Sequence, residues 1–150
     1  MVDLGVLRET LAERMQALPE DACRLFHGRG HCYPGLEFVN VDWFSPVLWV
    51  VLYGEVAHKT VAEISELLRE LAATTPAVQA VALQRREGGA TRQTVVAGQL
   101  PQTVYACEQG MRYELNLSEN QNIGFFLDAM PARQWVRQHA AGKRVLNLFA

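Results

Sequence analysis

The feature that most constrains the fold of this 150-residue chain is an uninterrupted apolar run from Val47 to Tyr53. Valine, tryptophan and tyrosine dominate the run, and β-branched and aromatic residues favour strands. Because no polar residue alternates with the apolar ones, such a strand must be covered on both faces. The uncharged stretch from Trp43 to Gly54 is too short to cross a membrane, which takes about 20 residues. The run therefore predicts the central strand of a buried sheet.

Two helices are predicted, one before this strand and one after it. Leucine and methionine recur every three or four residues over the first 18 positions, which is the pattern of one buried helix face. A second helix is predicted to begin at Thr60, because Thr60 and Glu63 have the spacing of a capping box. The apolar residues on one face of this helix are Val61, Ile64, Leu67, Leu68 and Leu71.

The other periodic segments of the first 118 residues are short and typical of strands. Glycine and proline interrupt the segment from Phe26 to Gly35, so that it is predicted to be a loop. Strands are predicted over residues 36–43, 78–83, 94–97, 103–107 and 111–117. The last two form a hairpin around Gln109-Gly110. The order of strand, strand, helix, strand and strand predicts an α+β module.

The composition changes near Ser118, where a polar stretch is predicted to be a linker or a binding loop. A helix is predicted from Pro131 to Ala140, with Gly142 at its C-terminal cap. An apolar strand is predicted to follow from Val145 to Phe149, and this order is typical of the start of a parallel α/β sheet. The predicted domains are a helical lead with a Gly/Arg/His loop (1–34), the α+β module (35–118) and the start of a truncated α/β domain (119–150).

Charge and cysteine content narrow the class of protein. The formal net charge of -2 gives the chain as a whole no attraction to nucleic acid, although a local basic patch is compatible with it. Three cysteines, an odd number in a chain long enough to build a core, predict free thiols in a reducing compartment. Acidic residues interrupt the N-terminal segment, which argues against a signal peptide. We expect a cytoplasmic protein with no membrane partner.

Three stretches of the last 30 residues carry a resemblance to a known family: Gln121–Asp128, Arg133 with Trp135–Arg137, and Gly142–Ala150. They resemble the entry to the catalytic domain of the class I S-adenosylmethionine-dependent methyltransferases related to the ribosomal RNA large-subunit cytosine-C5 enzymes. Arg24-Leu25 and the segment from Gly28 to Leu36 resemble the loop before that family's central α+β module. The resemblance covers about residues 23–150 and implies a parent enzyme that methylates RNA.

The resemblance also implies where the cofactor, S-adenosylmethionine, belongs. In this family the strand matching Val145 to Phe149 is followed by a glycine-rich turn that approaches the cofactor, and close approach needs glycine. Neither that turn nor the family's nucleophilic cysteine occurs in these 150 residues. We therefore expect an N-terminal fragment or a shortened relative of such an enzyme. We expect it to have no catalytic residue, to bind no cofactor by itself and to be inactive alone.

The resemblance assigns contacts with the parent enzyme's cofactor to residues near the C-terminal end, namely Gln121, Gly124, Phe126, Asp128 and Asn147. The amide of Gln121 both donates and accepts hydrogen bonds. Gly124 lets a ligand approach the backbone closely. The alternative for this segment is an ordinary strand entry in which Asp128 caps the following helix.

Basic residues in two places are candidates for RNA contact. Arg24 and Arg29 lie in a segment with interleaved histidines and aromatic residues, which can hold phosphate and stack a base. Arg85 and Arg86 lie beside the flexible Gly88-Gly89 turn. For the first segment the alternative is a solvated loop packed on the sheet. Trp43, Trp49 and Tyr53 are interpreted as packing residues of the sheet.

The same segment contains four residues of types that bind zinc, but a zinc site is not predicted. Cys23, His27, His31 and Cys32 are ligand types that zinc prefers. Their spacing lacks two separated ligand pairs, and the adjacent His31 and Cys32 are awkward for one ion. We expect no metal site.

Two rival hypotheses remain open at this point. One is a non-enzymatic module that binds RNA or a protein partner. The other is self-association, because an unpaired apolar strand over Val145 to Phe149 seeks a partner, which predicts a homodimer.

Overall fold

The computed structural model describes residues 2–117 and 122–146, which form a five-stranded sheet with two helices on one face, and a hairpin and a third helix on the other. The strands lie in sequence order: β1 (Cys23–His27), β2 (Val39–Phe44), β3 (Val47–Tyr53), β4 (Ala80–Glu87) and β5 (Ala90–Gly98). The remaining elements are α1 (Gly5–Arg14), α2 (His58–Ala73), the hairpin β6 (Val104–Glu108) and β7 (Met111–Leu115), and α3 (Met130–His139). Neighbouring strands of the sheet are antiparallel except β3 and β4, which α2 connects as a parallel pair.

Strand β3 occupies the centre of the sheet, which confirms the prediction from its apolar run. Leu48, Val50 and Leu52 pack with residues of α1 and α2 in one buried cluster. Val47, Trp49 and Val51 pack in a second cluster with the β6–β7 hairpin and with Phe125. Because side chains alternate across a strand, the single run supplies both cores.

One strand of the sheet was not predicted. Strand β1 includes Phe26 and His27, so the prediction of a loop starting at Phe26 is wrong there. A bulge between Arg24 and Phe26 buries both Leu25 and Phe26, which hides the alternation that marks a strand. The predicted order of strands therefore lacks the first strand of the sheet, β1. The first predicted strand, 36–43, also begins later, at Val39.

Strands β4 and β5 form a hairpin, and both extend closer to its turn than the strands predicted there. Gly88 and Gly89 have φ angles of 56° and 83°, the conformation of a two-residue turn that matches the twist of antiparallel strands. The strands therefore pair from Glu87 and Ala90 onward, beyond the predicted 78–83 and 94–97. The exposed end of the hairpin tolerates charged residues, so these parts of the strands lack the apolar pattern by which a strand is predicted.

Helix α2 begins two residues before the predicted capping box. The residue before the helix is Ala57, and no side chain caps the helix start. Thr60 is buried on the face that carries Ile64 and Leu68, so it packs toward the sheet instead of capping. The capping box is therefore wrong, whereas the apolar face is confirmed. Within residues 2–117 and 122–146, no helix is long and apolar enough to cross a membrane.

The C-terminal segment is only partly described. Pro131 lies in the first turn of α3, as predicted, and Gly142 has a positive φ of 70° just beyond the helix. Val145 and Leu146 are exposed and belong to no strand. Residues 147–149 of the predicted strand lie outside the described residues. The division into 1–34, 35–118 and 119–150 stays a prediction.

Candidate functional site

A cleft of about 360 Å³ lies between the sheet and the segment 122–128. The sheet contributes side chains from adjacent strands because strand register places them on one face. Arg24 pairs across from Asp42, Asp42 across from Trp49, and Tyr53 across from Arg86. These side chains form the polar end of one face of the sheet. The apolar end of that face packs against the hairpin.

Arg24 and Asp42 form an ion pair inside this cleft. The Nε atom of Arg24 donates to Oδ1 of Asp42 at 2.7 Å, and Nη2 donates to Oδ2 at 3.2 Å. Nη1 of Arg24 lies 3.1 Å from Nδ1 of His27. Burial raises the pKa of the Asp42 carboxyl, an effect that the Arg24 guanidinium opposes by hydrogen bonding and by its charge. The pair therefore fixes the Arg24 side chain and offsets its charge.

A second arginine, Arg29, lies over an aromatic ring of the cleft. Its guanidinium carbon is 4.4 Å from the centroid of the Tyr53 ring, and that of Arg86 is 5.4 Å from the same centroid. The Nε atom of Arg86 donates to Oε1 of the buried Gln84 at 2.6 Å. Tyr53 thus brings two cations together in contacts typical of cation–π pairs.

The backbone around Arg29 is held firmly. It lies in a single 3₁₀ turn from Gly28 to Gly30, directly after β1. A Cβ at Gly28 would lie 1.9 Å from the carbonyl oxygen of Leu36, so the close packing there needs glycine. The side-chain oxygen of Asn40 accepts a hydrogen bond from the Arg29 N–H at 3.4 Å.

The opposite wall of the cleft is the segment 122–128. Gly124 has a φ of 87°, and its N–H donates to Oδ1 of Asn122 at 2.8 Å, which closes a tight turn. Phe126 presents 59% of its surface to solvent beside the cleft. Asp128 is exposed and lines the cleft as well.

Arg133 of α3 connects this wall to the rest of the molecule. Its Nε and Nη2 atoms donate to both carboxylate oxygens of Glu108 at 2.9 and 2.6 Å. Its Nη1 donates to the carbonyl oxygen of Phe126 at 2.8 Å, and its guanidinium carbon lies 4.2 Å from the Phe125 ring centroid. The hydrogen bond from Arg133 lowers the pKa of Glu108.

Replacement of Glu108 by glutamine should weaken the fold in a pH-dependent way. At pH 7 the loss of the charge-assisted pair should lower the free energy of unfolding by about 2 kcal/mol. Because pairing lowers the pKa of Glu108, this stabilisation is complete above its unfolded pKa of about 4.3 and is lost as the pH falls through the folded value. Urea denaturation of both proteins at about pH 7 and pH 3 measures the difference.

Glu63→Gln is the control for that experiment. Glu63 pairs with Lys59 on the exposed side of α2 at 3.8 Å, where an ion pair contributes little. An equal stability difference between wild type and Glu108→Gln at both pH values would contradict the role assigned to the Arg133–Glu108 pair.

The structure brings together most of the residues predicted for a site. Arg24, Arg29, Arg86, Phe126 and Asp128 all line the one cleft. Gly124 lies in the same wall without lining the cleft itself. The assigned roles of these residues stay predictions.

One predicted site residue lies outside the cleft. Arg85 projects to the opposite side of β4, where it pairs with Glu87 at 3.0 Å near His58 and Arg92. Gln121 and Asn147 lie outside the described residues. The alternative role of Asp128 as a helix cap is not observed, since Ala129 precedes α3 and no side chain caps it.

Sequence reasoning missed Asn40, Asp42 and Glu108, and it assigned Tyr53 only to packing. The available signal was the presence of polar residues at alternate positions of a strand whose other residues are apolar. Asn40 and Asp42 are both buried, and they mark the face of β2 that carries the cleft. Within the described ranges, no group of three or more His, Cys, Asp or Glu side chains is arranged to hold a metal ion, and the three cysteines are free thiols.

Comparisons with known proteins agree with one another. The family model for S-adenosylmethionine-dependent methyltransferases matches residues 23–150. The chain is 34% identical over 128 residues to the ribosomal RNA large subunit methyltransferase K/L of Marinobacter nauticus, covering 85% of this chain and 16% of that protein. It is 28% identical over 133 residues to the ribosomal RNA large subunit methyltransferase I of Escherichia coli O157:H7, covering 87% of this chain and 33% of that protein.

Solved structures show the same fold. A protein described as a SAM-dependent methyltransferase from Streptococcus mutans superposes with a TM-score of 0.70 at 17% identity. The match covers 94% of this chain and 37% of the Streptococcus mutans chain. A second structure, of a methyltransferase complexed with SAH, gives a TM-score of 0.68 at 17% identity. The match covers 91% of this chain and 36% of the chain in that structure. The chain thus spans a third or less of the curated relatives described above, between 16% and 33% of their length.

Proposed function

Because this chain belongs to the S-adenosylmethionine-dependent methyltransferase family, we propose that it forms the RNA-facing part of an enzyme that methylates ribosomal RNA. The likeness to large-subunit ribosomal RNA methyltransferases over 85% of the chain supports this substrate class. Following the resemblance, we propose C5 of cytosine as the methylated atom. The family match does not favour the non-enzymatic binding module as an alternative.

The observation that carries the proposal is the composition of the cleft. Proteins recognise single-stranded RNA by combining cationic groups for the backbone with aromatic groups for the bases. Arg24, Arg29 and Arg86 line the sheet side of the cleft together with Tyr53, and Phe126 is exposed on the other side. The wall assigned to the cofactor and the wall assigned to RNA therefore face each other across one cleft, as methyl transfer requires.

The residues of segment 122–128 fit a contact with S-adenosylmethionine, which supplies the methyl group when bound. An exposed aromatic side chain, Phe126, suits its purine ring, and the exposed carboxylate of Asp128 suits its cationic groups. A Cβ at Gly124 would meet nothing closer than 3.9 Å, so the backbone there is open to a ligand. These residues form only part of a cofactor site, and we propose that the 150-residue chain alone neither binds the cofactor tightly nor transfers a methyl group.

Binding of a hairpin RNA with a single-stranded loop tests the substrate class. We expect fluorescence anisotropy to show binding that weakens severalfold between about 50 and 200 mM salt, since arginine–phosphate contacts release counterions. DNA of the same sequence is the control and should bind more weakly, because it lacks the 2′-hydroxyl. Absence of RNA binding, or binding that salt does not change, would contradict the proposal.

Two further expectations stay proposals. Self-association through residues 145–149 predicts a homodimer, which light scattering at high protein concentration detects. A cytoplasmic location follows only from the sequence composition. Neither is needed for the proposed function.

A further inference from the structure

Arg29, Tyr53 and Arg86 line the sheet side of the cleft, and the role proposed for them rests on the proposed function. We propose that these residues form a clamp for one backbone phosphate of the RNA substrate. The contact is with a phosphodiester group, whereas the wall around Phe126 and Asp128 is left to the methyl donor and the target base.

The geometry places two guanidinium groups around one ring. Their central carbons lie 4.4 Å and 5.4 Å from the Tyr53 ring centroid, and all three side chains line the same cleft. A guanidinium carries five N–H donors in one plane, and contact with a ring engages the guanidinium without using all of these donors. Guanidinium donors match the oxygens of a phosphate, and in the proposed clamp those of Arg29 and Arg86 bind the same phosphate.

The distribution of charge also favours an anion at this point. The charge of Arg24 is offset by Asp42 at 2.7 Å, and Asp42 also acts on Arg86. The other carboxylate of the cleft, Asp128, acts on Arg24 and on Arg133. Within the described part of the chain, the guanidinium of Arg29 forms no ion pair and lies over the Tyr53 ring. Positive charge in a concave site raises the local concentration of anions.

The clamp is preorganised by its neighbours. The 3₁₀ turn at Gly28 fixes the backbone of Arg29, and Gln84 holds Nε of Arg86 at 2.6 Å. Tyr53 acts as a positioning residue because its ring holds Arg29 in place. Little side-chain entropy is then lost when the phosphate binds, which is the usual advantage of a preorganised site.

The salt dependence of RNA binding distinguishes one shared phosphate from two separate ones. For single-stranded RNA, each neutralised phosphate contributes about 0.7 to the slope of log K against log salt concentration. We expect the slope to fall by about 0.7 in Arg29→Gln, in Arg86→Gln and also in the double variant, because all three lose the same contact. Fluorescence anisotropy with a single-stranded RNA oligonucleotide gives the slopes.

The matched control is Arg8→Gln, which removes one positive charge from α1 on the opposite face of the sheet. Its slope should equal that of the wild type. A fall of about 1.4 in the double variant would assign the arginines to two phosphates, and an unchanged slope in Arg29→Gln would assign them to none. Either result overturns the clamp, while wild-type RNA binding still supports the proposed function.

Two additional measurements test the positioning role and the source of the phosphate. Tyr53→Phe keeps the ring and should bind RNA like the wild type, whereas Tyr53→Leu should weaken binding as Arg29→Gln does. Circular dichroism checks that each variant is folded. Equal binding by Tyr53→Leu and Tyr53→Phe would overturn the role of the ring. Strong competition by inorganic phosphate would identify the ligand as a free phosphate and overturn the assignment to the RNA backbone.

Discussion

Replacement of Trp49 by alanine is expected to lower the free energy of unfolding by about 4 kcal/mol, a large part of the stability of a small domain. Trp49 is only 1% exposed and lies at the centre of β3, where it supports both the second core and the floor of the cleft. The substitution removes buried apolar surface and leaves a cavity between the sheet and the hairpin. Urea denaturation followed by circular dichroism measures the loss.

Trp135→Ala is the matched control for this prediction. Trp135 is 61% exposed on α3, where its ring stacks on His139. The same substitution there should change the free energy of unfolding by no more than about 0.5 kcal/mol. Equal losses for the two variants would contradict the packing described for β3.

Replacement of Gly28 by alanine is expected to cost about 3 kcal/mol and to weaken RNA binding at the same time. The added Cβ would lie 1.9 Å from the Leu36 carbonyl oxygen and 2.5 Å from that of Val39. Both atoms belong to the backbone leading into β2, so relief of the clash must move the turn that carries Arg29. Urea denaturation and anisotropy with the RNA oligonucleotide measure the two effects.

Gly30→Ala, in the same turn, is the control. The atoms nearest to its Cβ would belong to the side chain of His27, the closest at 2.6 Å, and a side chain can move away. We expect a loss below about 1 kcal/mol and little change in RNA affinity. A Gly28→Ala protein with wild-type stability and affinity would show that the turn is not held as described.

The sequence predicts the centre of this fold better than its edges. The run from Val47 to Tyr53 predicts a strand buried on both faces because no polar residue interrupts it, and the structure confirms this. The strand β1 escapes prediction because its bulge places two successive apolar residues, Leu25 and Phe26, in the core. The start of α2 is not predicted correctly because Thr60, a residue type that often caps helices, is buried toward the sheet instead.

The candidate site shows a similar division. Arg24 and Arg29 are predicted from local sequence and Phe126 from the family resemblance, but their meeting in one cleft depends on strand register and on the position of α3. Tyr53 looks like a packing residue, and only its two arginine neighbours reveal a different role. Asp42 and Glu108 gain their roles from partners distant in sequence, Arg24 and Arg133, so local sequence does not indicate which residue each carboxylate pairs with.

Nuclear magnetic resonance of the ¹⁵N-labelled chain titrated with single-stranded RNA tests most directly whether the cleft is the RNA-facing surface. We expect the largest chemical-shift changes around Arg24, Arg29, Tyr53 and Arg86, including the arginine Nε–Hε signals. The opposite face of the sheet, covered by α1 and α2, serves as an internal control and should change little. Changes confined to that helical face, or no changes anywhere, would contradict the assignment of the cleft to RNA.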